Sequence, residues 1–365
     1  MTTVRTDSYV PNFVIHVDGQ KFLYGRATEI VSVSITETSN QADQFTITVR
    51  DRYPDPASLR RGALSWIDNT AFQEGKEIEI ALGYQKNMGV ELVGYITGIA
   101  ISFSEDGRSG MTVRGYNKYH DLQRSRRYKP FGTSTYSGIA REIAREVNLS
   151  ADVDETDAEH PLTSWKGDTY AAILEQCAKR VNYEVAVKHG SLLFRRPRYL
   201  ETPRPAPALE LVWGQSLRSL SVDMKTNNMA SSVTVRNTKT GEGQGKEPVV
   251  AKLTAREVSP VLGQTSGLKR AEAVWGENDV HLEGQPVASS GEAKQLARAE
   301  LERRALGYIT ANGSCMGNPK LLARTLITLS GLGPRCSGTY YVTSTTHTID
   351  TGGYRTEFTA QRDAR

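Results

Sequence analysis

Cysteine is scarce. Cys177, Cys315 and Cys336 are the three in 365 residues, too few and too scattered for a disulfide framework, which fits assembly in a reducing cytoplasm. Long apolar runs are missing too. Without a stretch of about 18 apolar residues no membrane-spanning helix is expected, and Met1 to Val10, with Arg5 and Asp7 among threonine and serine, lacks the apolar centre of a signal peptide. Neither sign of charge dominates: 45 Lys and Arg against 41 Asp and Glu leave a net +4, which gives nucleic-acid binding no support from the total. The six histidines, His16, His120, His160, His189, His281 and His347, lie far apart, and none stands in H-E-x-x-H or at zinc-finger spacing, so no metal or cofactor is indicated. What is present, 38% hydrophobic and 24% charged residues, is the balance of a soluble globular chain able to bury a core. The length suits about two to three domains.

Strand patterns dominate residues 1–118. Phe13, Ile15 and Val17 alternate before an Asp18-Gly19 turn, and Val31, Val33 and Ile35 repeat the period. Phe45, Ile47 and Val49 follow, then Ile78, Ile80, Leu82 and Tyr84, then Ile99, Ile101 and Phe103, then Met111 and Val113. About six antiparallel strands with turns of Gly, Asp and Asn predict a barrel or sandwich, and a barrel is favoured because closure removes exposed edges. The period then changes from 2 to 3.6. Ile139, Ile143 and Val147 mark a helix starting near Thr135, and Tyr170, Ile173, Leu174, Cys177, Ala178 and Val181 mark a stronger one with Asp168 placed as its cap. A hairpin turning at His189-Gly190 completes a small α/β module over 119–204.

Pro197, Pro203, Pro205 and Pro207 stiffen the chain at a domain boundary. Strands resume at Leu209–Trp213, Leu220–Met224 and Val233–Arg236, and again from Tyr308 to a last hairpin at Thr351-Gly352-Gly353. These predict a second barrel from 205–237 and 307–365. Between them, 238–306 reads as an insertion with one helix, opened by the capping box Ser289-x-x-Glu292 and closed by Gly307. Two segments recur in order. Ile47-Thr48-Val49-Arg50-Asp51 compares with Val233-Thr234-Val235-Arg236-Asn237, and Gly94-Tyr95-Ile96-Thr97 with Gly338-Thr339-Tyr340-Tyr341-Val342-Thr343. The later pair is more widely spaced by about the size of the insertion. Either one barrel has been duplicated, or the likeness is the chance similarity of Thr/Val strands. Duplication has a consequence: two like barrels per chain, in a ring of three, present six like faces to a sixfold partner.

Catalytic patterns fail on inspection. Gly241, Gly243, Gly245 and Lys246 suggest a phosphate loop, but Thr240 stands where a Walker glycine belongs and Glu247 where Ser or Thr belongs, so a flexible loop is the better reading. Gly214-Gln215-Ser216-Leu217-Arg218 begins like a nucleophile elbow and ends in Arg, which leaves a turn between strands. Arg124, Arg126, Arg127 and Lys129, after Tyr116, Tyr119 and His120, fit single-stranded nucleic acid, a solvated connection or an acidic subunit surface. Carboxylate pairs for cell-wall hydrolysis depend on the fold, and nothing in the sequence singles one out.

The order of modules and two local motifs resemble the phage late control protein D family, tail hub proteins related to the non-spike part of VgrG proteins of contractile injection systems. One motif is Gly115-Tyr116-Asn117-Lys118-Tyr119-His120-Asp121-Leu122, with Asn117 where the family usually has Asp. The other is the closing segment with Gly338, Tyr340, Val342, His347, Gly353, Tyr354, Thr356 and Phe358. The resemblance implies a mainly β chain of two related β-barrels joined by an α/β module. It implies a non-enzymatic homotrimeric hub in a phage tail or injection particle, adapting a hexameric inner tube to a trimeric spike among other baseplate proteins, with DNA or protein cargo only in passing. It supplies no catalytic residue. Since the chain ends at Arg365 without an OB-fold, β-helix needle or lysozyme-like extension, the spike is expected to be a separate polypeptide.

Overall fold

A computed structural model describes residues 10–24, 30–51, 66–84, 87–105, 109–128, 131–132, 134–157, 159–160, 167–237, 250–287 and 289–365. Alternating apolar residues make the first series of strands: β1 (Pro11–Val17), β2 (Gln20–Tyr24), β3 (Ile30–Thr38), β4 (Gln44–Asp51), β5 (Glu77–Tyr84), β6 (Asn87–Phe103) and β7 (Ser109–Asn117). Asp18 and Gly19 both take positive φ, 49° and 73°, as the two-residue turn after β1 requires. Because side chains alternate across a strand, Phe13, Ile15, Val33, Ile35, Phe45, Ile47, Ile78 and Val113 gather on one side as a first core.

The α/β module follows, with α1 (Tyr119–Arg124), β8 (Ser134–Thr135), α2 (Tyr136–Glu146), β9 (Ser150–Val153), β10 (Glu159–His160), α3 (Tyr170–Val181), β11 (Glu184–Lys188) and β12 (Ser191–Arg195). Ile139, Ile143, Ile173, Leu174 and Cys177 form its core against the β11–β12 hairpin. Thr169, not Asp168, caps α3: its Oγ1 accepts the Ala172 N–H at 3.2 Å, the reach of a side chain three residues before that amide.

The remaining strands and longer helices are β13 (Leu209–Val212), β14 (Leu217–Met224), β15 (Ser232–Arg236), β16 (Val250–Thr254), α4 (Gly267–Trp275), β17 (Asp279–Leu282), α5 (Ser290–Leu306), β18 (Ile309–Met316), β19 (Leu326–Ser330), β20 (Gly338–Asp350) and β21 (Gly353–Arg362), with a single helical turn at Gly333–Cys336. One sheet runs β14-β18-β21-β20-β3-β4-β7-β6-β5-β1-β2, with β19 also on β20 and β13 on β19. The chain is therefore mainly β, in two related units that share a single sheet.

Strand order and register make the relation specific. β3, β4, β5, β6 and β7 correspond to β14, β18, β19, β20 and β21, and every pairing within the first set recurs antiparallel in the second. The β6–β7 ladder slips between Ile96 and Gly98, and the β20–β21 ladder slips between Val342 and Ser344. Tyr95-Ile96-Thr97 and Tyr341-Val342-Thr343 thus occupy the same places, with the threonine at the bulge in each. The units differ at their far edges, since β1 meets β5 antiparallel whereas β13 meets β19 in parallel.

Three further expectations need correction. Val233–Arg236 is a strand, but as β15 it pairs β16 and β17 in a separate small sheet covered by α5, so it belongs to the insertion and β18, not β15, is the counterpart of β4. A Thr/Val alternation specifies a strand without specifying its neighbours. The insertion contains two α-helices among the described residues. The missed one, α4, is short, opens on Gly267 and buries only Leu268 and Ala271 beyond that glycine, which leaves almost no apolar stripe to read. Finally, Ser289 caps α5 through the Glu292 N–H at 3.2 Å, but the Glu292 carboxylate turns to the Arg180 guanidinium and the Tyr136 hydroxyl, each at 3.2 Å, docking the insertion on the module.

Candidate functional site

Where the two units meet, β20 lies antiparallel to β3 from Ser344↔Thr38 to Asp350↔Ser32. One face of this seam is turned inward: Val33, Ile35, His347 and Ile349 are all buried. The other carries hydroxyls. Thr36 and Thr346 share a hydrogen bond of 3.0 Å, Thr38 and Ser344 one of 3.1 Å, and the Ser344 hydroxyl donates to the Glu37 carbonyl at 2.9 Å. The pattern extends along the second unit, where Ser219 and Ser314 meet at 2.6 Å. A shallow recess of about 420 Å³ there is bordered by Ser219, Asn312, Ser314, Ser344, Thr346 and Thr359. Thr and Ser suit exposed strand positions, and short neutral side chains make up most of this lining, with the Glu357 carboxylate and the Phe358 ring beside them.

Beneath the seam a charged cluster ties the first unit, the module and the second unit together. The Lys188 ammonium of β11 pairs with the buried Glu37 carboxylate of β3, which also accepts the Ala323 N–H at 3.1 Å and the Thr345 hydroxyl at 3.4 Å. Arg324 donates to the Thr38 carbonyl at 3.0 Å and stands 3.7 Å from Asp43. Burial pushes the Lys188 ammonium down to about 7, with the nearby Arg324 charge acting the same way. Burial raises the Asp43 carboxyl to about 6, against Arg324 and hydrogen bonds from Thr38 and Asn117. Asn117 completes the cluster: its amide donates to Asp43 at 3.1 Å and to the Val187 carbonyl at 2.9 Å, while its oxygen accepts the Tyr119 N–H at 3.2 Å. An aspartate here would lose both donated bonds and set a second carboxylate against Asp43, so the departure from the family motif fits this neighbourhood. Glu37, Asp43, Lys188 and Arg324 escaped the sequence reading because they lie on four separate segments with no spacing to link them.

The closing motif assembles around His347. Its Nε2 donates to the Leu321 carbonyl at 2.8 Å, and its Nδ1 accepts from the Tyr354 hydroxyl at 2.9 Å with Thr356 Oγ1 at 3.1 Å. Burial holds the imidazole down to about 4, the Leu321 bond opposing and Lys188 assisting, so the ring is neutral. Tyr340 is buried with its hydroxyl on the Cys336 carbonyl, and Gly338, at φ +142°, leaves room for the Arg362 guanidinium, 2.6 Å from where a Cβ would lie. Gly353, at φ +109°, serves the last hairpin turn. The first motif contributes elsewhere. Gly115 lies against the Phe45 ring, Tyr116 stacks on His120 with ring centroids 5.5 Å apart, and Leu122 packs in the module core.

Other candidate residues are drawn apart. Arg127 turns inward to Glu142 and Glu146 and over the Phe131 ring, and Arg126 donates to the Gly167 carbonyl, which breaks up the basic run. Lys129 lies outside the described residues, as do Gly241, Gly243, Gly245, Lys246 and Glu247. Ser216 sits in the β13–β14 turn and accepts the Val212 N–H at 2.9 Å. Burial pushes the Cys177 and Cys315 thiols up to about 12, so neither is a nucleophile near neutral pH. Among the described residues no group of three or more His, Cys, Asp or Glu could hold a metal, and no helix is long and apolar enough to cross a membrane.

This architecture is that of bacteriophage tail proteins. A 43 kDa tail protein of prophage MuSo2 from Shewanella oneidensis is similar over 97% of this chain and 98% of its own, with a TM-score of 0.71 at 14% identity. A tail protein of Neisseria meningitidis MC58 is similar over 97% of both chains, with a TM-score of 0.69 at 13% identity. A type VI secretion component of E. coli, described as structurally similar to T4 tail proteins, is similar over 95% of this chain and 76% of its own, with a TM-score of 0.55 at 12% identity. By sequence, the chain belongs to the family of the Alg8 N-terminal domain, whose model matches residues 7–351. A stretch of 79 residues is 34% identical to a 3-dehydroquinate dehydratase of Salinispora arenicola, spanning 20% of this chain and 55% of that enzyme. So short a match carries no activity across to this chain.

Proposed function

We propose that this protein is a structural hub subunit of a contractile tail or injection particle, of the late control protein D and VgrG kind, in which three copies form a ring of six like β units. The ring joins a hexameric inner tube on one side to a separate trimeric spike on the other. Its mechanism is geometric rather than catalytic. The observation that carries this reading is the internal repeat, five corresponding strands with the same bulge, joined edge to edge through β20 and β3. Repeated units in one sheet supply the near-equivalence a sixfold partner needs from three chains. The Ser/Thr row at the seam suits the wall of a passage, because short neutral hydroxyls stay hydrated and hold passing DNA or protein weakly, and the nearby charges Arg355 and Glu357 are 3.7 Å from each other. In this reading the family-motif residues Gly115, Tyr116, His120, Leu122, Gly338, Tyr340, His347, Gly353, Tyr354 and Thr356 serve packing and unit junctions.

The test is co-expression with a tail-tube protein and a spike protein from the same genome. Capture of both, with the chain between them in negative-stain images, is the expected result. Failure to retain either partner, or clearing of peptidoglycan by the pure protein, contradicts the reading.

A further inference from the structure

The repeat that positions β20 against β3 also specifies what the free strand edges of the chain should meet. Following the registers, Gly98–Ser104 corresponds to Ser344–Asp350, the half of β20 that forms the seam, and Ser219–Lys225 corresponds to Ser32–Thr38, its partner. Within one chain neither counterpart is paired on the equivalent side. Among the described residues, β6 beyond Ile96 pairs only with β7, and β14 pairs in a ladder only with β18.

Exposure separates the two situations at matched positions. His347 and Ile349, on the made seam, are 0% and 8% exposed; their counterparts Ile101 and Phe103 are 49% and 71% exposed. On the partner strand Val33 and Ile35 are fully buried, whereas their counterparts Leu220 and Val222 are only partly buried against the second core. Each unpaired edge carries an apolar row at the position the seam buries; Gly98–Ser104 has no charge, and along Ser219–Lys225 the charges Asp223 and Lys225 are paired with each other at 2.5 Å, on the face opposite Leu220 and Val222.

We propose that these edges pair between copies: Gly98–Ser104 of one chain lies antiparallel to Ser219–Lys225 of the next, with Ile101 opposite Val222, Ala100 opposite Asp223 and Phe103 opposite Leu220. The occupant of each edge is a second copy of this chain, since the chain carries both halves of the joint and a worked example of it in β20–β3. The contact is head to tail, which excludes a twofold pair and, at the threefold rotation of the ring proposed above, closes it; it continues the sheet from subunit to subunit with the hydroxyl row on one face. This inference rests on the ring proposed above and adds the joint and its register.

The experiment is disulfide mapping on the full chain with Cys336→Ser, together with the solution mass by light scattering. Neighbouring antiparallel pairs alternate in geometry, so both Ile101→Cys/Val222→Cys and Ala100→Cys/Asp223→Cys are made, with Ile101→Cys/Leu220→Cys as the register slipped by two. The expected result is a three-chain mass, oxidation of at least one in-register variant to a covalent species that stops at three chains, and at least tenfold less cross-linking in the slipped one. Ile101→Asp/Phe103→Asp, at exposed positions, should yield a folded monomer by circular dichroism and light scattering. A three-chain particle that cross-links only in the slipped variant, or in none, overturns the joint and leaves the ring standing. A monomer without cross-links overturns both.

Discussion

The repeat makes a quantitative packing prediction. Ile47 on β4 faces Val113 on β7, and at the corresponding places Gly313 on β18 faces Phe358 on β21. Volume has been exchanged across the pair: two medium side chains in one unit, none and a large ring in the other. A Cβ on Gly313 would lie 2.6 and 2.9 Å from Phe358 ring carbons and 3.0 Å from Leu220 Cδ1. Gly313→Ile alone therefore overpacks the site, at a cost of about 3 kcal/mol. Phe358→Val alone leaves a cavity beside the glycine and costs about 2 to 3 kcal/mol, less than full truncation to alanine. Together the two substitutions rebuild the Ile47/Val113 pair, and the double variant should lose less than about 1.5 kcal/mol, a coupling of several kcal/mol. A β-branched residue in place of a mid-strand glycine also favours the strand. The assay is urea unfolding followed by circular dichroism and by tryptophan fluorescence, using midpoint shifts at a common slope. Additive costs would refute both the packing argument and the correspondence of β18 with β4.

Three further outcomes follow from the junction. Lys188→Met strands the Glu37 carboxylate, 1% exposed, beside two neutral donors, and should cost about 3 to 5 kcal/mol in the same unfolding assay; a loss below about 1 kcal/mol would mean that the pair behaves as a surface pair. Asn117→Asp removes two donated bonds beside the buried Asp43 and should cost about 2 kcal/mol or more, whereas Asn117→Asp with Asp43→Asn should recover part of it. For His347, the folded imidazole titrates near 4 against 6.5 unfolded, so its contribution is complete above pH 6.5 and declines by about 3 kcal/mol as the pH falls to 4. Asp43, raised from 3.8 to about 6, changes stability in the opposite sense within that window. The reading is therefore the stability difference between the parent and His347→Gln, which should shrink by that amount from pH 6.5 to 4; a difference independent of pH contradicts the buried neutral ring.

Much of the fold was legible because period-2 and period-3.6 patterns depend on nearest neighbours in sequence. Phe45-Thr46-Ile47 and the Tyr170 to Val181 face needed only their own alternation. The bulge threonines were visible as a repeated Tyr-x-Thr run, though not as bulges. What could not be read was which edge each strand would find. The pattern of Val233–Arg236 resembles that of β4, yet in the fold it pairs β16 and β17 and packs under α5. The junction was hidden for the same reason: Glu37 and Lys188 are separated by 151 positions and look like ordinary surface charges until the fold removes them from water. Asn117 was noticed as a departure, and its purpose became clear only with Asp43 beside it.

The central claim is that like β units, two per chain, are arranged as near-equivalent sixths of a ring. Electron cryomicroscopy of the purified oligomer, at a resolution that separates strands, tests it most directly. The account predicts a closed threefold particle with six alternating units, in which the contact between chains repeats the β20–β3 seam. A particle of any other symmetry, or a threefold one whose two units point in unrelated directions about the axis, would contradict it.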